Sequence, residues 1–142
     1  MGRILALDYG KKRIGLAISD LLQITASPYD VIESVSYKKD AAKILEIAKT
    51  NEVSAVVVGM PVNMNGTEGE MTDIVKRFIE EFDALGSGIE IKTVDERLTT
   101  MQAERMLTEE ADLSRSKRKS VRDKVAAALI LQIYLDTKCT TL

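Results

Sequence analysis

Histidine is absent from this chain, and cysteine occurs once, at Cys139. Without histidine there is no imidazole general base, no Ser-His-Asp triad and no His-ligated zinc site. One thiol forms neither an internal disulfide nor, by itself, a metal cluster. Tryptophan is also missing, aromatic residues make up 4% and proline occurs twice. Val, Ile, Leu and Ala must therefore fill the core. No apolar run reaches the length needed to cross a bilayer. The start, Met1-Gly2-Arg3-Ile4, passes into a strand-like pattern with no secretory h-region or cleavage site. A cytoplasmic protein with no membrane association is the expectation.

What is present is ordinary globular composition: 142 residues, 45% hydrophobic and 30% charged, which fits one domain over 1–142. The formal net charge of −2 speaks weakly against a nucleic-acid partner, but its distribution matters more. Lys11, Lys12 and Arg13 form one basic cluster. Arg115, Lys117, Arg118, Lys119, Arg122 and Lys124 form another. The middle of the chain is acidic, with Glu68, Glu70, Asp73, Glu80, Glu81 and Asp83.

Residues 3–9 carry an almost unbroken apolar run, the pattern of a central strand covered on both faces. Gly10-Lys11-Lys12 is a turn, and residues 13–20 form a second strand folded back as a hairpin. A third strand is expected within Ile24–Ile32, where Pro28 argues for a sheet edge. Helical spacing of Ala41, Ile44, Leu45 and Ala48 predicts a helix over 38–50. Val53 to Val58 is a buried strand closed by Gly59, and residues 60–69 form a loop. Ile74, Val75, Phe78, Ile79 and Phe82 line a helix ended by Gly86 and Gly88. Ile89–Val94 is the fifth strand. Thr99 or Thr100 caps a further helix ending near Leu107. The polar segment Glu109–Lys119 lacks periodicity and is expected to be mobile, and a last helix runs from Ser120 to Asp136. The order β-β-β-α-β-α-β-α-α gives an α/β domain: a mixed sheet with helices on its faces.

Three places could carry chemistry. Asp8 ends the first strand, where a rigid backbone and the uncrowded Gly10 suit a metal ligand or phosphate neighbour. Its plain structural alternative is capping of the turn. Asp95 and Glu96 end the fifth strand, and alternation lets only one of them face inward. A simple strand-to-helix junction is the alternative there. Asp123 sits in the first turns of the last helix beside small residues, or makes a surface ion pair. Three carboxylates without histidine or cysteine are hard oxygen ligands suited to Mg²⁺ or Mn²⁺. Two such ions flanking a phosphodiester activate water and stabilise the leaving oxygen. Glu68 and Glu70 are reserve ligands should Glu96 point away. The loop at 59–69, with Asn63 and Asn65, leads into a helix N-terminus that suits a phosphate, or is merely a long connection. It is no P-loop, since no Lys-Ser/Thr pair follows its glycines. The basic stretch at Arg115–Lys119 suits a nucleic-acid backbone or a solvated loop. It lacks interleaved aromatics for base stacking.

The blocks LALDYGKKRIGLAISD at 5–20, GMPVNMNGTEG at 59–69, VDERLTT at 94–100 and KSVRDKVAAALILQ at 119–132 resemble, in order, those of the YqgF family. Its members are bacterial RNase H-like proteins also called RuvX, regarded as Holliday junction resolvases and as nucleases of pre-16S ribosomal RNA maturation. The resemblance implies an RNase H-like fold, a five-stranded mixed sheet with three antiparallel strands then two more, and helices on both faces. It implies a catalytic and metal-binding cluster of Asp8, Glu96 and Asp123. Arg97 and Thr99-Thr100 become polar neighbours of that cluster. The nucleic-acid contacts expected are Lys11, Lys12, Arg13, Asn63, Asn65, Arg97, Arg115, Lys117, Arg118, Lys119 and Arg122. The substrate implied is structured RNA at the 5′ end of pre-16S rRNA, within ribosomal precursor particles. Four-way DNA, cut by a dimer, is the second reading. A non-catalytic ribosome-associated binding domain is the third. An actin-like ATPase domain shares the Asp-x-Gly hairpin but ordinarily needs two such domains around its nucleotide.

Overall fold

The computed structural model describes residues 2–60, 69–95 and 115–140, and in its last helix the side chains of 125–137. Five strands, β1 (Arg3–Tyr9), β2 (Arg13–Ser19), β3 (Ala26–Glu33), β4 (Val53–Met60) and β5 (Glu90–Asp95), form one sheet in the order β3-β2-β1-β4-β5. The first three are antiparallel neighbours, and β4 and β5 add in parallel through helical crossovers. This is the mixed α/β sheet expected. β1 is central because both its edges are paired. β3 is at an edge, where Pro28, lacking an N–H, is tolerated.

Helices α1 (Tyr37–Thr50) and α2 (Glu70–Ala84) cover one face, and α3 (Arg115–Thr140) covers the other. Alternation along β1 divides the core. Leu5, Leu7 and Tyr9 pack with Ile44, Val75, Phe78 and Phe82 under α1 and α2. Ile4 and Ala6 pack with Ala17, Val57, Ala127, Ile130, Leu131 and Leu135 under α3. Small residues at Ala6, Ala17 and Ala127 bring α3 close to the sheet.

Local chemistry sets the element ends. Ser36 caps α1 by accepting from Lys39 N (3.2 Å). Gly86, at φ 62°, takes the left-handed position after α2 and donates to Asp83 O. The third strand begins later than Ile24 because Asp20 Oδ1 accepts from the N–H groups of Ile24 (2.7 Å) and Thr25 (3.0 Å). Those donors are spent on the loop before pairing starts at Ala26. The N–H groups of Thr25 and Ile24, in that order, hold the Asp20 carboxyl below its ordinary range. A lowered folded pKa means the contribution is present above the unfolded value, about 3.9, and is lost as pH falls through the folded one. NMR titration should show the Ile24 and Thr25 amide shifts moving together below about pH 4 and losing that step in Asp20→Ala.

The last helix departs from expectation. It begins at Arg115, so the stretch at 115–119 is helical rather than irregular, and Asp123 lies about 12 Å into the helix rather than in its first turns. Apolar periodicity reports burial and not helicity, and it fades where charged residues replace apolar ones. The helix expected between Thr99 and Leu107 lies outside the described residues. Among the described residues no helix is long and apolar enough to cross a membrane.

Candidate active site

Asp8 is half-buried at the carboxyl end of β1. Its parity is that of Ile4 and Ala6, so it stands on the α3 side of the sheet. Asp8 pairs with Gly15 on β2. On the other side, Leu7 pairs with Val58, which brings Gly59 level with Asp8, and Gly59 pairs with Val94. One row across the sheet therefore reads Gly15, Asp8, Gly59, Val94. Val94 packs against the core under α3, so its neighbour Asp95, which is exposed, belongs to the opposite side.

The turn after Asp8 is fixed by backbone. Gly10 N donates to Arg13 O at 2.9 Å, and a Cβ on Gly10 would stand 2.8 Å from that same oxygen. Ser34 N donates to Lys12 O (2.9 Å), tying the hairpin to the end of β3. Lys11 and Lys12 are exposed on this turn, and Arg13 is half-buried. Lys11 Nζ lies 3.0 Å from Glu70 Oε1, so the reserve ligand Glu70 is held in an ion pair with the hairpin.

Position 123 lies four residues before Ala127, seven before Ile130 and eight before Leu131, all buried against the sheet. Helical periodicity puts it on the same stripe, one turn nearer the helix start. Positions 115, 118, 119 and 122 share a side of the helix by the same spacing, and Lys117 lies between them in sequence. Glu96, Arg97, Asn63, Asn65 and Glu68 lie outside the described residues. Among the described residues no three metal-ligating side chains come together.

A buried acid that the sequence reading did not single out lies on the other face. Asp40, 2% exposed, accepts from Tyr9 OH (2.6 Å), Ser34 Oγ (2.6 Å) and Val35 N (2.9 Å). Burial, and then the bond to Asp40, push the Tyr9 phenol well above its ordinary value. Its contribution is complete below the unfolded pKa, about 10, and is lost as pH rises through the folded value. The Tyr9 ring also lies 4.7 Å from that of Phe78. Thus Tyr9 locks the end of β1 into the core while its neighbour Asp8 faces the other way. Tyr9→Phe should lower unfolding free energy by about 1–2 kcal/mol in urea titrations, since Asp40 keeps two donors. A cleft of about 340 Å³ lined by Tyr9, Lys11, Ser34, Val35, Tyr37 and Ile74 lies beside this network.

A central β1 carrying one carboxylate at its end, three antiparallel strands, two parallel additions and a helix across the acidic face define a class. This is the RNase H fold in its RuvC-like form. Solved structures agree: RuvC of T. thermophilus in complex with Holliday junction substrate superposes with a TM-score of 0.62, at 16% identity over 99% of this chain and 98% of that one. The Fowlpox virus resolvase with Holliday junction DNA gives 0.54, at 14% identity over 96% and 98%. At these identities the likeness is one of fold. Within the class, the RuvX family model, described as Holliday junction resolvase, matches residues 2–137, and the chain belongs to that family of nucleases. A relative from Endomicrobium trichonymphae is 65% identical over 136 residues, 96% of each chain. One from Thermoanaerobacter pseudethanolicus is 50% identical over 136 residues, 96% of this chain and 97% of its own. Both bear the provisional name pre-16S rRNA nuclease.

Proposed function

We propose that this chain is one domain that cuts phosphodiester bonds in structured RNA, in 5′-end maturation of pre-16S rRNA in the cytoplasm. Asp8, Glu96 and Asp123 hold Mg²⁺ or Mn²⁺. The observation that carries this is the position of Asp8: a half-buried carboxylate at the end of the central strand, level with the end of β5, on the face that α3 covers. Val94 faces α3 and Asp95 does not, so strand alternation favours Glu96 as the partner. The stripe through Ala127 favours Asp123 as the third.

The donor set is all carboxylate, which fits a hard divalent cation and not structural zinc. When bound, such ions supply a nucleophilic water and neutralise charge on the leaving oxygen. The chain's own residues do the rest. Asp8 is oriented by a strand paired on both sides. Lys12 on the hairpin that follows Asp8, and the basic first turns of α3, draw the phosphate backbone to the acidic face. The names of the two relatives favour precursor RNA, and the RuvX family description keeps four-way DNA as the second substrate.

The test is cleavage of a pre-16S transcript and of a four-way DNA junction side by side, with Mg²⁺ and with EDTA. RNA should be cut in Mg²⁺ alone, and EDTA should abolish the reaction. Cleavage that survives EDTA removes the metal from the mechanism. Preference for the junction makes the DNA reading the correct one.

A further inference from the structure

Asp8 and Tyr9 are consecutive and face opposite sides of the sheet, so the hairpin after them borders two places. One is the acidic face. The other is the cleft of about 340 Å³ on the side of α1 and α2, within the size range of pockets that take small ligands. Gly10 and Lys11 of the hairpin line it. Asp8 and Gly10 are two residues apart, at most about 7 Å of backbone. A nucleic-acid strand lying across Asp8 therefore reaches the cleft by bending over the turn.

The lining has three kinds of group. Val35, Tyr37 and Ile74 give apolar walls. Tyr37 is half-buried, and the guanidinium carbon of Arg77 lies 5.0 Å from its ring centroid, which braces the ring and adds positive charge. Ser34 and Ser36 bring hydroxyls. Ser34 Oγ donates to Asp40 and keeps its lone pairs, while Ser36 Oγ accepts from Lys39 N and keeps its proton. Lys11 brings an ammonium, 3.0 Å from Glu70 Oε1 in a pair whose side chains are both exposed. An exposed ion pair contributes little, so a phosphate exchanges readily with Glu70 for Lys11. The set suits a ligand with a flat ring, a polar middle and an anionic end.

We propose that this cleft binds one nucleotide, with its base against Tyr37, its sugar at Ser34 and Ser36, and its phosphate on Lys11. Stacking on an aromatic ring accepts any base, so the cleft adds grip without reading sequence. RNA held at Asp8 is the nearest source of that nucleotide, an assignment that rests on the nuclease reading. Free nucleotide is the other source.

The experiment titrates AMP, adenosine and inorganic phosphate by calorimetry into the full chain, and a fluorescent short oligoadenylate by anisotropy, all in EDTA. The variants are Tyr37→Phe, Tyr37→Leu, Val35→Glu and Glu70→Gln, with unfolding midpoints for each. Asp83→Asn is the charge control, exposed in the last turn of α2 and about 20 Å along the helix from Glu70. AMP should bind one per chain and more tightly than adenosine or phosphate. Tyr37→Leu should weaken it about fivefold or more, the lower end for one base stacked on an aromatic ring, and Tyr37→Phe should not. Val35 is 68% exposed, so Val35→Glu adds charge at the cleft without disturbing the core and should weaken AMP several-fold. Glu70→Gln should tighten it, and Asp83→Asn should leave it alone. No saturable binding at millimolar AMP, or equal binding by wild type, Tyr37→Leu and Val35→Glu, overturns the proposal. If Tyr37→Leu does not fold, Val35→Glu and Glu70→Gln decide. Parallel losses of AMP and oligoadenylate binding support the cleft and make the substrate strand its source. Loss of AMP binding alone supports it with free nucleotide as the source. RNA cut in Mg²⁺ by a chain that ignores AMP sinks only the cleft, and AMP bound by a chain that cuts no RNA sinks only the nuclease reading.

Discussion

Asp8→Asn should reduce cleavage of structured RNA by about a thousandfold or more while leaving the chain folded. A metal-bound oxygen supplies several kcal/mol of charge stabilisation in the transition state, and each 1.36 kcal/mol is about tenfold in rate. An amide in place of Asp8 removes one negative charge from the ligand set and weakens the ion's hold. The fold should survive because β1 is held by its backbone on both edges, to β2 and to β4, and by its apolar neighbours Leu7 and Tyr9. Single-turnover cleavage at saturating Mg²⁺ together with far-UV circular dichroism checks both halves. An Asp8→Asn protein that cuts like wild type would remove carboxylate-held metal from the mechanism. A loss of the circular dichroism signal would make Asp8 a folding residue instead.

The second large effect is on stability. Asp40→Ala should lower unfolding free energy by about 3–5 kcal/mol, because it leaves several donors without their acceptor at about 1–3 kcal/mol each. Three donors, Tyr9 OH, Ser34 Oγ and Val35 N, lose their shared acceptor, and the bond from Tyr9 is fully buried. Domains of this size are stable by about 5–15 kcal/mol, so the loss should leave the protein partly unfolded under mild urea. Asp40→Asn keeps one acceptor oxygen and should lose less. Urea midpoints for the two variants give the comparison. Equal midpoints for Asp40→Ala and wild type would show that water replaces the carboxyl without penalty.

The contrast between the two acids shows where sequence was legible. Asp8 stands out because it interrupts an apolar run, and period-two alternation assigns it a face without any long-range knowledge. Pro28 marked an edge strand and Gly86 a helix end for equally local reasons. Asp40 is hidden because an acid in the first turn of a helix ordinarily serves the helix dipole at the surface. Its burial depends on Tyr9, 31 residues away, and on Ser34. The spacing from Ser36 to Asp40 was a faint sign of a capped helix start, with nothing to say that the acid turned inward. Strand order was likewise out of reach, since apolar runs do not name their neighbours. β4 proved to separate β1 from β5, which sets the gap the site has to bridge. The true start of α3 was missed because residues 115–119 carry charge where the pattern sought apolar periodicity.

The outer edge of β3 has a consequence for life at high concentration. Leu16 pairs with Asp30 and Ala17 with Pro28, so Tyr29 is an extra residue in the ladder and the strand is irregular there. A foreign strand laid along that edge would meet an imino acid with no proton to give, a break in its hydrogen-bonding rhythm, and an exposed carboxylate at Asp30. These are the devices by which a sheet refuses to template its own growth. Among the described residues this edge lies near three exposed aliphatic side chains, Leu21, Leu22 and Ile24, and its irregularities disfavour its use as a template for aggregation.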